Sequence, residues 1–135
     1  MSEVMERSKE LRNDHNVHYS CAQGVFIPFA ERKGLTKEQA EGITANFGSG
    51  MRVGLTCGAI TGGLMALGLY GADQPADSAE FFRRMRDLHE GRTSCHDLLA
   101  AEVHSPAEKK PHCDGMVYEA VEAVEEMLRE RNIAY

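Results

Sequence analysis

The sequence has no tryptophan, and aromatic residues make up only 7% of its 135 residues. Few side chains are therefore available to stack on nucleic-acid bases. Lysine and arginine number 15 against 21 aspartates and glutamates, which gives a formal net charge of −6. A chain of this charge has no basic surface typical of nucleic-acid or anionic-lipid binding. We therefore expect neither class of partner.

Long apolar runs are also missing. The longest, residues 64–70, is interrupted by Gly68 and is far shorter than the roughly 18 residues that a membrane span needs. The polar stretch from Met1 to Asn13 has no apolar core of the kind found in signal peptides. We expect a cytoplasmic protein forming a single domain over residues 1–135, since domains average roughly 100–200 residues.

Strand patterns are absent as well, because apolar residues recur at helical spacing nearly throughout the chain. The clearest stripe is that of the last helix, formed by Met116, Val117, Ala120, Val121, Val124, Met127 and Leu128. We predict an all-α fold, a compact bundle of about six to seven short helices. Its core is expected to include Leu64, Leu67, Phe81, Phe82, Val121 and Val124.

Capping residues predict the first helix starts. Ser20 precedes a helix from Cys21 to Lys33, which Pro28 should kink or split. Thr36 opens a capping box. A glycine-rich stretch then leads to Thr56, the expected cap of a helix ending at Tyr70. A start near Gly50 is the alternative, although glycines inside a helix are costly.

Capping residues also predict helix starts in the second half of the chain. Asp77 is the expected cap of a helix over residues 78–90, and Ser94 that of a short helix ending at Val103. Residues 105–111 are polar and contain two prolines, which predicts a connection. The last helix should then run from about Cys113 to Arg131.

The four cysteines are the most informative residues. They are Cys21, Cys57, Cys95 and Cys113. Structural disulfides are rare in a reducing compartment, which favours a redox or metal-ligand role. Each cysteine falls at or near a predicted helix start, where free N–H groups and the helix dipole lower the pKa of a thiol. The alternative is that they are buried and inert, as free cysteines often are.

The spacing of the cysteines argues against several kinds of cysteine site. There is no Cys-x-x-Cys pair, which argues against thioredoxin-like exchange, zinc ribbons and covalently attached haem. Successive cysteines are 36, 38 and 18 positions apart, so only the fold can bring them together. We expect at least three of them to converge. Several helix N-termini meeting in this way would suit an anionic iron–sulfur cluster.

Small residues follow Cys57 at regular spacing. Gly58 and Gly62 form a smooth ridge on the predicted helix, and Ala59 adds another small side chain. Such a ridge lets a second helix approach closely, which is the simpler interpretation. It could equally let a cofactor approach the backbone, so Gly58, Ala59 and Gly62 are candidate cofactor contacts.

The order of Cys21, then Cys57-Gly58-Ala59-Ile60-Thr61-Gly62, then Cys95 and Cys113 resembles the C-GCAxxG-C-C family of redox-active proteins. The resemblance extends from about Ser20 to Ala123. It implies a redox role for the four cysteines and a partner protein that exchanges electrons with them. A related four-cysteine pattern, in the iron–sulfur portion of some multihaem proteins, favours a [2Fe–2S] cluster held by the same residues.

Other interpretations stay open beside the cluster. The cysteines could cycle between dithiol and disulfide with no cofactor, and Cys95 and Cys113 are then the expected pair because they are closest in sequence. A non-redox helical module, with structural zinc or inert cysteines, is the alternative function. A homo-oligomer is compatible with all of these.

Histidines and glutamates complete the candidate residues. His96 and His112 adjoin cysteines, and His15 and His18 precede Cys21. We expect these histidines to be neighbours that tune a site or carry protons rather than ligands. The acidic run of Glu119, Glu122, Glu125 and Glu126 lies opposite the apolar stripe, which predicts a solvated face.

Overall fold

The computed structural model describes residues 2–135, which form seven α-helices and one short π-helical turn. The helices are α1 (Glu3–Arg12), α2 (Cys21–Arg32), α3 (Lys37–Thr44), α4 (Gly58–Leu69), α5 (Pro75–Leu88), α6 (Cys95–Glu102) and α7 (Pro106–Glu130). The π-helical turn, Gly50–Gly54, precedes α4. Residues 2–135 contain no strand, so the all-α prediction is confirmed, with eight helical segments in place of six to seven.

The predicted caps of α2 and α3 are present. Ser20 and Thr36 each accept a hydrogen bond from the backbone N–H three residues later, and the glutamine there returns the bond. Pro28 does not split α2, which continues to Arg32. Proline has no N–H to donate to the carbonyl of Gly24, four residues earlier. The hydroxyl of Ser8 on α1 donates to that carbonyl instead, at 2.8 Å.

Three other predicted helix starts were wrong. Thr56 lies outside α4, whose N-cap is Cys57. Asp77 is the third residue of α5, and its carboxylate accepts from the backbone N–H of Gln74, the true cap. Helix α7 begins at Pro106 rather than near Cys113. Both α5 and α7 place a proline at their first position, where its missing N–H costs nothing.

The core lies where α2, α4 and α7 meet, with α1, α3 and α5 packed around them. Leu67, Phe81, Val121 and Val124 are buried as predicted, whereas Leu64 and Phe82 are partly buried at its edge. None of the helices in the described part of the chain is both long and apolar enough to cross a membrane.

The π-helical turn between α3 and α4 has an unusual backbone. Ser49, Met51 and Arg52 have φ of 53°, 57° and 63°, in the left-handed region that side chains disfavour. Gly50 has φ of 61°, and a Cβ there would lie 2.4 Å from the carbonyl oxygen of Leu55. Strained backbone of this kind concentrates at functional sites, and this turn reaches the cleft described next.

Candidate functional site: a cleft lined by four cysteines

All four cysteines line one cleft of about 610 Å³. Each comes from a different helix: Cys21 is the first residue of α2, Cys57 caps α4, Cys95 opens α6 and Cys113 is the eighth residue of α7. Cys57 is buried, and the other three are partly exposed to the cleft. The fold therefore gathers cysteines that are up to 92 residues apart, and all four are free thiols.

A short antiparallel bridge pairs Cys57 with Cys95. Thr56 and Ser94, which precede these cysteines, face each other across the bridge. The N–H of Cys57 donates to the carbonyl of Thr93 at 2.8 Å, and the N–H of Cys95 donates to the carbonyl of Leu55 at 2.6 Å. The bridge holds the starts of α4 and α6 side by side. It also explains why Thr56 does not cap α4.

Close packing of α4 on α2 brings Cys57 towards Cys21. A Cβ on Gly58 would lie 3.0 Å from the backbone nitrogen of Ala22, and one on Gly62 would lie 2.8 Å from its carbonyl oxygen. The glycine ridge is thus used for helix contact. All three candidate cofactor contacts are buried, and of the three Gly58 lines the cleft whereas Ala59 and Gly62 do not.

A buried ion pair places Cys113 beside Cys21. The guanidinium of Arg12 donates to the carboxylate of Asp114 at 2.7 Å and to the carbonyl of Tyr19 at 2.7 Å. These bonds tie α7 to α1 and to the segment that leads into α2. The Cys21 thiol donates a long hydrogen bond to the carbonyl oxygen of Cys113, at 3.9 Å, and the two thiols are close enough to shift each other's pKa.

The helix starts do not lower the thiol pKa values as predicted. The hydrogen bond to Cys113, together with burial, raises the pKa of Cys21. Burial raises the pKa of Cys57 to about 11, although the N–H groups of Ala59 and Ile60 lie near its sulfur and oppose this. Burial also raises the pKa of Cys95. Loss of water around the thiolate therefore outweighs the helix N-terminus at Cys57 and Cys95.

Cys113 is the exception, and it is the one cysteine inside a helix. The hydrogen bond from Cys21 lowers the pKa of Cys113 to about 7, with help from the positive charges of Arg12 and Lys109. The expectation that Cys113 lies in a first helical turn is wrong, yet its thiol is the most acidic of the four. With a pKa of about 7, Cys113 is partly ionised at neutral pH, whereas Cys21, whose pKa is raised, keeps its proton.

The cleft is basic although the protein is acidic. Four cationic side chains line it: Arg12, Arg52, Lys109 and Lys110. Its lining residues in the described part of the chain include no aspartate or glutamate. Sequence reasoning missed Lys109 and Lys110 because it interprets residues 105–111 as a connection. A proline directly after Ser105 is a signal for a helix start that could have placed Lys109 and Lys110 correctly.

The histidines divide between two regions. His18, His96 and His112 line the cysteine cleft, and His15 lines a neighbouring cavity of about 380 Å³. His112 is nearly buried, and its Nδ1 lies 3.4 Å from a carboxylate oxygen of Glu102. Glu102 links the cleft to a second group of charged residues that the sequence did not indicate.

We call this group the His89 cluster; it consists of His89, Glu102, Glu119 and His112. His89 is 9% exposed, and its Nδ1 lies 2.9 Å from both carboxylate oxygens of Glu102. Its Nε2 lies 2.6 Å from Glu119. Both ring nitrogens face carboxylates, which only accept hydrogen bonds, so His89 is an imidazolium. Burial lowers the pKa of His89, but the bonds with Glu119 and Glu102 outweigh it and raise the pKa.

The predicted solvated acidic face is therefore wrong for two of its members. Glu119 belongs to the His89 cluster. Glu125 is buried, and it accepts hydrogen bonds from the hydroxyls of Ser2 at 2.8 Å and Tyr135 at 2.6 Å. The partners of these glutamates come from distant parts of the chain, so the helical pattern alone could not reveal them.

The arrangement of the thiols limits what they could bind. Within residues 2–135, no group of three or more histidine, cysteine, aspartate or glutamate side chains is arranged to hold a single metal ion. The Cys21 and Cys113 thiols act on each other, the backbone bridge sets the start of α4 beside the start of α6, and Cys113 also acts on Cys57 and Cys95.

The family described as "Putative redox-active protein (C_GCAxxG_C_C)" matches residues 19–127. No curated protein and no solved structure matches the chain. The family match covers most of the 135 residues and includes all four cysteines. The chain therefore belongs to this family, as the order of its cysteines predicts.

Proposed function

We propose that this member of the C-GCAxxG-C-C family is an electron-transfer protein whose four cysteines hold a [2Fe–2S] cluster in the cleft. The observation that carries the proposal is the convergence of Cys21, Cys57, Cys95 and Cys113 on one cleft without carboxylates. A dithiol reaction needs only two thiols. A cluster uses all four, since two irons with two cysteine ligands each need four thiolates.

The surroundings suit an anionic centre. Such a cluster would supply one-electron transfer without exchange of protons at the metal. Arg12 and Lys109 act on the thiols with positive charge, which favours their deprotonated, ligating forms. The N–H groups of Ala59 and Ile60 face the Cys57 sulfur and would stabilise negative charge on it.

Anaerobic reconstitution of the full chain with iron and sulfide tests the proposal. We expect visible absorption and about two irons per chain. Each single Cys→Ser variant should lose iron or show a shifted spectrum, whereas Ser78→Ala, at an exposed site on α5, should behave as wild type. If wild type takes up no iron, the cluster is excluded. Uptake of zinc alone, with no visible spectrum, would support the structural zinc alternative instead.

A second candidate is dithiol–disulfide cycling between Cys21 and Cys113. The interaction between these two thiols supports this candidate, because it lowers the pKa of Cys113 and the thiolate is the reactive form of cysteine. The Cys95–Cys113 pair expected from the sequence is the alternative within this candidate, since Cys113 also acts on Cys95. Forming the disulfide from a thiolate and a thiol releases two electrons and one proton, and the electrons must go to an oxidant such as a partner disulfide.

Redox titration of the metal-free protein tests the second candidate. We expect a reversible two-electron couple that Cys21→Ser and Cys113→Ser abolish and Cys95→Ser retains. Absence of both this couple and iron uptake would leave the cysteines structural and overturn a redox function altogether. A partner protein that exchanges electrons with the cysteines, and a cytoplasmic location, belong to the same proposal.

A further inference from the structure

We infer that the cysteine cleft binds a small anionic molecule that carries carboxylate, phosphate or sulfate-like groups. The inference rests on the proposed function in one respect, since it treats this molecule as the compound that meets the redox centre. The binding itself depends on the charge and shape of the cleft, and these can be tested without any redox reaction.

The first argument is the distribution of charge. The chain has 21 acidic and 15 basic residues, yet four basic side chains and no acidic one line the cleft. A protein with a net charge of −6 would repel anions in general. Excess positive charge at one concave site therefore points to a ligand of opposite sign.

The second argument concerns which of these charges are already matched. Arg12 and Lys110 both bond to Asp114, at 2.7 Å and 2.8 Å. Arg52 donates only to the carbonyl of Ala45, which is uncharged, at 2.9 Å. Lys109 forms no ion pair with the described residues, and both Arg52 and Lys109 are exposed. In the metal-free protein, the charges of Arg52 and Lys109 at the rim of the cleft are thus not matched by any carboxylate of residues 2–135.

The third argument is size. A cleft of about 610 Å³ lies within the range of roughly 300–1,000 Å³ that is typical of small-molecule sites. A docked protein would instead need a surface of about 800 Å² on each partner. The concave shape and the strained turn that presents Arg52 therefore favour a small anion over an acidic protein face.

Calorimetric titration of the full-length protein tests the inference, with succinate, inorganic phosphate and sulfate as probes and glucose as the neutral control. Comparison of the three anions shows whether the cleft prefers a carboxylate, a phosphate or a sulfate group. We expect saturable binding of at least one anion, weakened by added salt. Lys109→Glu and Arg52→Glu should each weaken it by about tenfold or more, since each removes a charge-assisted hydrogen bond.

Arg86→Glu is the matched control, because Arg86 is an exposed arginine on α5 that does not line the cleft. It should bind the anion as wild type does, and circular dichroism should show that all three variants are folded. Binding that survives Lys109→Glu and Arg52→Glu would overturn the inference. So would binding of polyglutamate without binding of any small anion, which would indicate a docking surface for an acidic protein.

Iron content and the visible spectrum, measured on the same samples, separate this inference from the proposed function. A protein that binds the anion but takes up no iron and shows no thiol couple supports the site and contradicts the redox role. A protein that holds iron but binds none of the anions supports the redox role and contradicts the site. Titration of metal-free protein excludes chelation of iron by the probe as the source of heat.

Discussion

Helices α6 and α7 contribute to both the cysteine cleft and the His89 cluster, and the two regions differ in how their charges are matched. In the His89 cluster one imidazolium faces two carboxylates at 2.9 Å and 2.6 Å. The cleft is lined by four basic side chains and no carboxylate. Asp114, outside the lining, matches Arg12 and Lys110, whereas Arg52 and Lys109 form no ion pair with residues 2–135. Matched charges hold helices together. Unmatched charges in a cleft contribute little to the fold, so they are available for a ligand.

Arg12 tests this contrast, because it lines the cleft although its charge is already matched by the carboxylate of Asp114. Its side chain is 5% exposed and bonds to Asp114 and to the carbonyl of Tyr19. Replacing it with methionine leaves Asp114 without its buried partner. We expect Arg12→Met to lower the free energy of unfolding by about 3–5 kcal/mol, measured by urea denaturation.

Arg32→Met is the matched control. Arg32 also bonds to one carboxylate, that of Glu3, and to one carbonyl, that of Tyr135, but its side chain is 38% exposed. An exposed pair contributes about 0–1 kcal/mol. Equal losses of stability for the two variants would contradict the structural role assigned to Arg12.

Within the cleft, the cysteines themselves should differ in reactivity. In metal-free, reduced protein at pH 7 we expect iodoacetamide to modify Cys113 about 100-fold faster than Cys57, since their pKa values are about 7 and about 11. Peptide mass spectrometry gives the four rates. The rate at Cys113 should rise through about pH 7, and Cys21→Ala should move that rise to higher pH by removing the hydrogen-bond donor.

Equal rates at all four cysteines would contradict this prediction. A faster reaction at Cys95, which opens α6, would show that the helix N-terminus governs reactivity after all. Either result would remove the distinction between a reactive Cys21–Cys113 pair and a less acidic Cys57–Cys95 pair.

The contact between α2 and α4 forms one wall of the cleft. Replacing Gly62 tests whether the small residues of α4 are needed for helix packing or for contact with a cofactor. A Cβ at Gly62 would lie 2.8 Å from the carbonyl oxygen of Ala22. We expect Gly62→Ala to destabilise the fold by about 2 kcal/mol through overpacking, as measured by thermal unfolding.

Gly68→Ala is the control on the same helix. No atom lies within 4 Å of a Cβ at Gly68. Alanine has the higher helix propensity, so this variant should gain about 0.5–1 kcal/mol. A neutral effect of Gly62→Ala on stability, together with loss of iron uptake, would instead favour the role of cofactor contact.

The His89 cluster should give the smallest effect, and a pH-dependent one. The folded-state pKa of His89 is raised above its unfolded value of about 6.5. Its stabilising effect is therefore fully present below about pH 6.5, and is lost as the pH rises through the folded-state pKa. We expect His89→Gln to cost about 1.5 kcal/mol at pH 5.5 and less at pH 9.

His104→Gln serves as the control, since His104 is exposed. Denaturation curves of both variants at several pH values give the comparison. A cost of His89→Gln that stayed constant from pH 5.5 to pH 9 would show that His89 packs as a neutral ring. The His89 cluster would then not be held together by matched charges.

The sequence predicted those features that depend on local physics. Helical periodicity gave the fold class, and side-chain hydroxyls at Ser20, Thr36 and Ser94 marked true helix starts because a cap acts within three residues. The order of the cysteines predicted the family. The two prolines at the starts of α5 and α7 carried the same kind of local signal, although Asp77 and Cys113 were interpreted as marking those starts.

The tertiary structure decided which thiols meet and what their charges are. The bridge between Thr56 and Ser94 pairs Cys57 with Cys95, and the Arg12–Asp114 ion pair brings Cys113 to Cys21. These contacts join residues 38 and 102 positions apart, which no local pattern encodes. The interaction with Cys113 and then burial raised the pKa of Cys21, and burial raised the pKa values of Cys57 and Cys95. Both causes depend on the neighbours that surround a thiolate rather than on its own segment.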